Sequence, residues 1–446
     1  MKKIIYLVLF LILIPIKSNS AGISLIRDAE IEDFLRDLTN PILKAANLNP
    51  KEIQIYIVND SSLNAFVAGG QNIFLNTGLI TKYFDPNVLI GVIAHETGHI
   101  SSGHLARSDE DMQNASTAMI ISYIAGIAAA ATASPDAGMA LIMGGSHIAQ
   151  RTALKFTRTQ EEAADALAIK YLSSSNNTAD GLLKILETFK IDEKAYKNQI
   201  DEYAITHPIS KRRISFIKSN LKKFDRQTNL ARNADLKNRL ARIIAKLNAF
   251  IDAPNRTLRT YNGISENDRY ARSIAYYKKG NIKIAIRILD NLILDNPQDG
   301  YLFDLKGQIL SESGNLKNAI IAYNQAIKLH PHNNLARIAL ATSIIDLDSK
   351  DSKLINFAIK NLNIALKTEE YDSNIYKKLA KAHNQNNDLG QSYLALAQMS
   401  LIENDEDKIK KYVKLAKDNL DRNDKTNLLI LDDIEEFSDQ IKDKDL

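Results

Sequence analysis

Apolar positions between Ser24 and Ala46 recur at helical spacing, with Ile26, Ile31, Phe34, Leu35, Leu38 and Leu43 on one face and Pro41 expected to break the run. From Ile53 to Val58 the period changes to two and the residues are β-branched, which predicts a strand. Ile73 to Asn76 predicts another after the turn-forming Gly69-Gly70. A small antiparallel sheet is expected from these. Its segment Asn72 to Asn76 either offers an edge to an extended peptide or is an internal strand. The helical period returns at Asp85-Pro86 and carries Leu89, Val92 and Ile93 toward a polar cluster, His95-Glu96-Thr97-Gly98-His99.

Two further patterns organise the rest of the chain. Ala115 to Ala133 is uncharged and rich in alanine; Ser134-Pro135-Asp136 and a second apolar stretch, Met139 to Ile148, follow, as in a helical hairpin. Three placements fit it: a buried or substrate-side hairpin, contact with a membrane surface, or a true span. The alanine and serine content favours the first. In the C-terminal half, Lys279-Gly280-Asn281 recurs as Ser313-Gly314-Asn315 and Pro297 recurs as Pro331, each 34 residues on. That is the tetratricopeptide period, in which glycine is expected to let paired helices pack closely and Ala285, Ala319 and Ala326 to sit at the crossings. Ala358 to Ala365 reads as the second helix of a third unit, and Tyr376 to Lys417 as further helices.

Composition narrows the class. A net charge of +4 with mixed signs over 446 residues gives no reason to expect nucleic acid. Met1-Lys2-Lys3, the apolar run Ile4 to Ile16 and the small residues Ser18, Ser20 and Ala21 predict a secretory signal peptide over 1–20, since the run is short for a span of ~20 residues. Without cysteine there is neither a lipid-modified cysteine nor a disulfide framework. The expected organisation is a mostly helical α+β domain with a small antiparallel sheet over 21–250, an all-α tetratricopeptide solenoid over 265–420, and an acidic tail over 421–446.

The chemistry lies in His95 and His99. Four residues apart on a helix, they point the same way and can hold one zinc ion per chain, with Glu96 between them as a base. A third ligand is needed. The pattern HExxHxxGxxH is excluded, because Ser102 and Leu105 stand where glycine and histidine are required. A later glutamate remains: Glu161 and Asp165 lie one turn apart in an alanine-rich helix, Glu161 to ligate and Asp165 to fix the tautomer of a ligating histidine. One zinc position is then left open, and Glu96 is the expected general base of peptide hydrolysis.

HExxH followed by ExxxD resembles the HtpX-like and CAAX-prenyl-protease-type zinc metalloproteases over roughly residues 24 to 220, which implies that the α+β domain over 21–250 is a zincin-type metalloprotease domain. Asn64 to Leu79 is similar to that family's segment before the metal helix, and Thr206-His207-Pro208 with Arg213-Ile214 to its His-Pro element. The resemblance implies a place near the zinc for His207, to steady the oxyanion or to occupy the open position; a plain turn histidine is the alternative. Arg213 either binds the oxyanion, pins Glu161 or Asp165, or is an ordinary helix cation. With the signal peptide and repeats, the resemblance narrows to the periplasmic, β-barrel-assembly branch of the family. It implies a protease of misfolded or stalled envelope proteins whose repeats dock clients or the outer-membrane β-barrel assembly machinery. The rival from another class is a non-proteolytic chaperone or adaptor with a structural metal site.

Overall fold

The protein is described by a computed structural model covering residues 24–68, 71–103, 156–195, 207–221 and 230–442. The expected signal peptide, the Gly69-Gly70 turn and the alanine-rich hairpin lie outside these residues. Among the described residues no helix is long and apolar enough to cross a membrane.

Helix α1 (Ala29–Ala45) starts at Asp28, whose side chain accepts from the Ile31 amide, and buries Ile31, Phe34, Leu35, Leu38, Ile42 and Leu43. It runs through Pro41 instead of breaking there. The carbonyl that loses its partner belongs to the exposed Asp37, where water can replace the bond, and burial of the stripe outweighs the cost.

The sheet also departs from expectation. Its strands are β1 (Leu25–Ile26), β2 (Ile55–Val58), β3 (Ala65–Ala68) and β4 (Asn72–Asn76), in the order β1-β2-β4-β3. It is mixed: β1 and β3 run antiparallel to their neighbours, while β2 and β4 are parallel with Ile55 opposite Ile73. The cause is a crossover, since β4 folds back past β3 and inserts beside β2. Segment Asn72–Asn76 is therefore internal, and β3 forms the edge.

After the short α2 (Thr77–Lys82), helix α3 (Pro86–Ser101) begins with Asp85 as cap and Pro86 in its first turn. It is apolar nearly all round and buried almost throughout, so it forms the centre of the N-terminal core. Around it pack α1, α4 (Arg158–Ser174) and α5 (Asp180–Ala195), and α6 (Lys211–Asn220) lies against α4 and α5. Two glycines permit this packing: a Cβ at Gly98 would sit 2.7 Å from the Ala164 carbonyl oxygen of α4, and one at Gly91 would sit 2.5 Å from the Leu182 backbone nitrogen of α5.

The long α7 (Leu230–Ile251) and short α8 (Pro254–Thr260) lead into five successive helix pairs. These are α9 (Glu266–Lys278) with α10 (Ile282–Asp295), α11 (Gly300–Glu312) with α12 (Leu316–Leu329), and α13 (Asn334–Asp346) with α14 (Ser352–Ala365). Then come α15 (Ser373–Gln385) with α16 (Leu389–Ile402), and α17 (Glu406–Asn419) with α18 (Lys425–Lys442). Ala285, Ala319 and Ala326 are fully buried, as expected of crossing points. The glycines act differently from expectation. Gly280 and Gly314 take φ of +76° and +80° with open space around a Cβ, so they end helices; the close-packing glycine is Gly307, against the Tyr323 ring. The acidic end folds as α18, with Leu431 and Ile434 buried.

The two regions meet through charge. Glu30 of α1 receives Lys246 and Arg242 of α7 and the Tyr270 hydroxyl of α9. Tyr301 donates to Asp33 at 2.7 Å, and Arg27 pairs with Glu369 at 2.9 Å.

Candidate metal centre

Three segments bring the site together. Helix α3 supplies His95, Glu96 and His99; α4, opened by a capping box between Thr157 and Gln160, supplies Glu161 and Asp165; the turn into α6 supplies His207 and the first turn of α6 supplies Arg213. Six of these side chains are fully buried and Arg213 is 1% exposed. Every residue singled out in the sequence as a site candidate therefore lies in one cluster.

The donor atoms converge. His95 Nε2 is 3.2 Å from His99 Nε2, 3.4 Å from His207 Nδ1 and 3.4 Å from Glu161 Oε2. Glu161 Oε1 is 3.3 Å from His99 Nε2 and 3.0 Å from His207 Nδ1. Four donors held about 2.0–2.1 Å from a common centre in tetrahedral geometry stand about 3.3–3.4 Å apart. The printed contacts are close to that spacing, all four donors lie within 4.8 Å of one another, and the imidazole and carboxylate donors suit zinc.

Electrostatics separates the two glutamates. Burial pushes the Glu96 carboxyl above its ordinary range, and both of its oxygens are buried without a hydrogen-bond partner; His207 Nε2 lies 3.5 Å from its Oε1. Burial acts the same way on Glu161, but His207 and His95 outweigh it and hold that carboxyl well below its ordinary range. Burial would depress His95, yet Glu161 and Asp165 raise it to about 9; burial depresses His99 to about 3.

Arg213 binds both carboxylates of α4. Its Nε and Nη2 reach Asp165 at 2.6 and 2.9 Å, its Nη1 is 2.5 Å from Glu161 Oε2, and Nη1 also donates to the Pro208 carbonyl at 3.1 Å. Asp165 Oδ1 in turn lies 3.0 Å from His95 Nδ1. Of the alternatives for Arg213, this geometry matches the one that pins Glu161 and Asp165.

Two contacts escaped the sequence reading. Phe156, just before the α4 cap, stacks on the His99 ring with centroids 3.7 Å apart. Its position ahead of a capped helix was a usable signal. The Ala65 carbonyl of edge strand β3 lies 3.3 Å from His207 Nε2, a contact across 142 residues that no local pattern announces.

Two histidines one turn apart, a glutamate from a second helix and an uncommitted carboxylate between the histidines define a metalloprotease-type centre. Residues 26–221 match the model of the family described as Peptidase family M48, a zinc-dependent family. Over 200 residues the chain is 29% identical to the β-barrel assembly-enhancing protease of Yersinia pestis, covering 45% of this chain and 41% of that protein. Over 263 residues it is 26% identical to the protein of that name in Escherichia coli strain K12, covering 58% and 50%. Over 288 residues it is 26% identical to a putative β-barrel assembly-enhancing protease of Vibrio cholerae, covering 63% and 58%. The chain spans about half the length of these curated relatives.

Proposed function

We propose that this chain is a zinc-dependent metalloendopeptidase of the bacterial periplasm that degrades misfolded or stalled envelope proteins. The single observation that carries this reading is the convergence of four buried donors within 4.8 Å of one another beside a glutamate whose oxygens are buried without a hydrogen-bond partner. His95, His99 and Glu161 are the metal ligands. When bound, zinc supplies a Lewis acid that polarises the scissile carbonyl and makes a water acidic near neutral pH. Glu96 takes the proton of the attacking water and returns it to the leaving amine, a task that its burial-raised affinity for protons suits. Asp165 orients His95 through Nδ1, and Arg213 holds Asp165 and Glu161 in place. His207 occupies the fourth donor position through Nδ1 and engages the β3 edge through Nε2, so it acts as a brake on both water and an extended substrate.

The reading extends to the whole chain. Residues 21–250 form the protease domain behind a signal peptide over 1–20, and 265–420 form a tetratricopeptide solenoid ahead of the acidic end over 421–446. The repeating helix pairs and the relatives' name, β-barrel assembly-enhancing protease, support docking of clients or of the outer-membrane β-barrel assembly machinery on that solenoid.

Zinc content and casein hydrolysis decide the matter. Glu96→Gln is expected to retain zinc and lose hydrolysis by at least about a hundredfold, the lower range for a general base. His207→Ala is expected to hydrolyse faster than the natural chain. One observation favours a second reading, a chaperone or adaptor with a closed structural site: His207 completes a four-donor set. Zinc retained with no hydrolysis in any of the three forms would establish that reading instead.

A further inference from the structure

A groove of about 330 Å³ runs between α15 and α16, far along the chain from the metal centre. Leu389, Tyr393 and Leu396 give it an apolar side, while Lys377, Lys381 and Asn384 line the other. Leu389 is 44% exposed, so its apolar surface is available to a partner. The lysines are not isolated: 33 residues on, the first helix of the next pair carries Lys410 and Lys414 at the positions of Lys377 and Lys381, and Lys417 at that of Asn384, so two lysine ladders stand in register on successive pairs. Lys381 is held by Asp346, and Lys417 by Asp432 and Glu435. Among the described residues Lys377, Lys410 and Lys414 are exposed and form no ion pair. Tyr393 stacks on Tyr412 of α17 with ring centroids 6.4 Å apart, which packs α17 against the apolar side of the groove.

From this arrangement we infer that the groove and its lysine ladders dock an acidic, extended segment of a partner protein that carries an apolar anchor residue. The inference names the partner chemistry for the docking surface proposed above and rests on that reading. Charge complementarity selects the occupant. Uncompensated lysines in two rows attract a chain of carboxylates, and the apolar side between them offers a leucine or aromatic side chain a place out of water. A concave groove fits a narrow chain better than it fits a planar bilayer.

The test uses the full chain and a fluorescent twelve-residue peptide of alternating glutamate and glycine with one central leucine. Binding is read by anisotropy at about 50 and 200 mM salt, where screening differs strongly. Binding that weakens with salt, drops about tenfold or more in Lys377→Glu/Lys410→Glu, and is unchanged in Lys283→Glu/Lys317→Glu on the second helices α10 and α12 is the expected result. Circular dichroism melting is expected to show all forms equally folded. Absence of peptide binding, or equal loss in both double variants, would overturn the inference. So would lysine-dependent binding to phosphatidylglycerol vesicles without peptide binding, or a sedimentation dimer lost only in Lys377→Glu/Lys410→Glu; these would assign the ladders to a lipid surface or to a second copy. If a purified client protein still binds the repeats of the double variant as tightly as before, the docking surface stands and only its acidic specificity here falls.

Discussion

Arg213 is the side chain on which the buried charge of the centre depends. Its fork spans Asp165 and Glu161, two carboxylates that would otherwise share a dry environment one helical turn apart. Removing one partner of such a set costs far more than the set contributes, because the other charges stay buried. Arg213→Ala is therefore expected to lower unfolding free energy by about 3–5 kcal/mol. Arg213→Lys should recover part of that, since an ammonium keeps the charge but cannot bridge both carboxylates in one plane. Urea unfolding with zinc analysis checks this, and an alanine variant as stable as the natural chain would refute the role. The spacing of His95, Glu96 and His99 was legible because one helix carries all three, and Glu161 with Asp165 was legible for the same reason. Arg213 was not, since 48 residues separate it from Asp165 and only folding shows which of its alternatives holds.

At the level of elements, the centre depends on how closely α3 and α4 approach. Gly98 lies between Thr97 and His99 on the face that meets Ala164, and any side chain there would touch backbone, which cannot move aside as a flexible side chain can. Gly98→Ala is expected to push the helices apart, to cost about 1–3 kcal/mol of stability, and to reduce zinc occupancy by separating Glu161 from the histidines. Thermal melting with and without added zinc tests it; unchanged zinc retention would show that the spacing is not critical. Periodicity revealed α3 because it buries a continuous apolar surface, and alanine content revealed α4, whose buried face also carries Glu161 and Asp165. Periodicity could not reveal that β2 and β4 are parallel, because strand alternation says which residues share a face and nothing about which strand lies alongside. The two-residue β1 was too short to carry a period at all. Pro41 misled for a related reason: its local cost is real, and only the burial of Ile42 and Leu43 against the core shows why the helix continues.

Across the whole molecule, the junction between the metalloprotease-type region and the helix pairs is held by ionisable groups, and two of them respond to pH in opposite senses. Burial pushes the Glu30 carboxyl up, but Lys246 and Arg242 outweigh it, and the folded value lies below the ordinary one. Its contribution is therefore present above the ordinary carboxylate range and is lost as pH falls through the folded value. Asp304 is the reverse case. Burial, only partly offset by the bond it accepts from Asn333, raises it to about 6. Between the ordinary aspartate value near 4 and about 6 the folded chain holds a proton that the unfolded chain has released, so stability falls as pH rises through that window and stays lower above it. The loss is at most about 3 kcal/mol, and about half that once water reaching the half-buried side chain is allowed for. Asp304→Asn keeps an oxygen to accept from Asn333 and carries no charge to bury. Its melting temperature is expected to exceed that of the natural chain by a few degrees at pH 7 and to match it at pH 4. Glu30→Gln, which leaves Lys246 and Arg242 without their buried partner, should melt lower at pH 7, with the deficit shrinking toward pH 3. Melting curves of the three proteins from pH 3 to 8 check both signs together. A stabilising Asp304→Asn effect as large at pH 4 as at pH 7 would rule out its carboxylate as the cause, because nothing in that range would then be titrating.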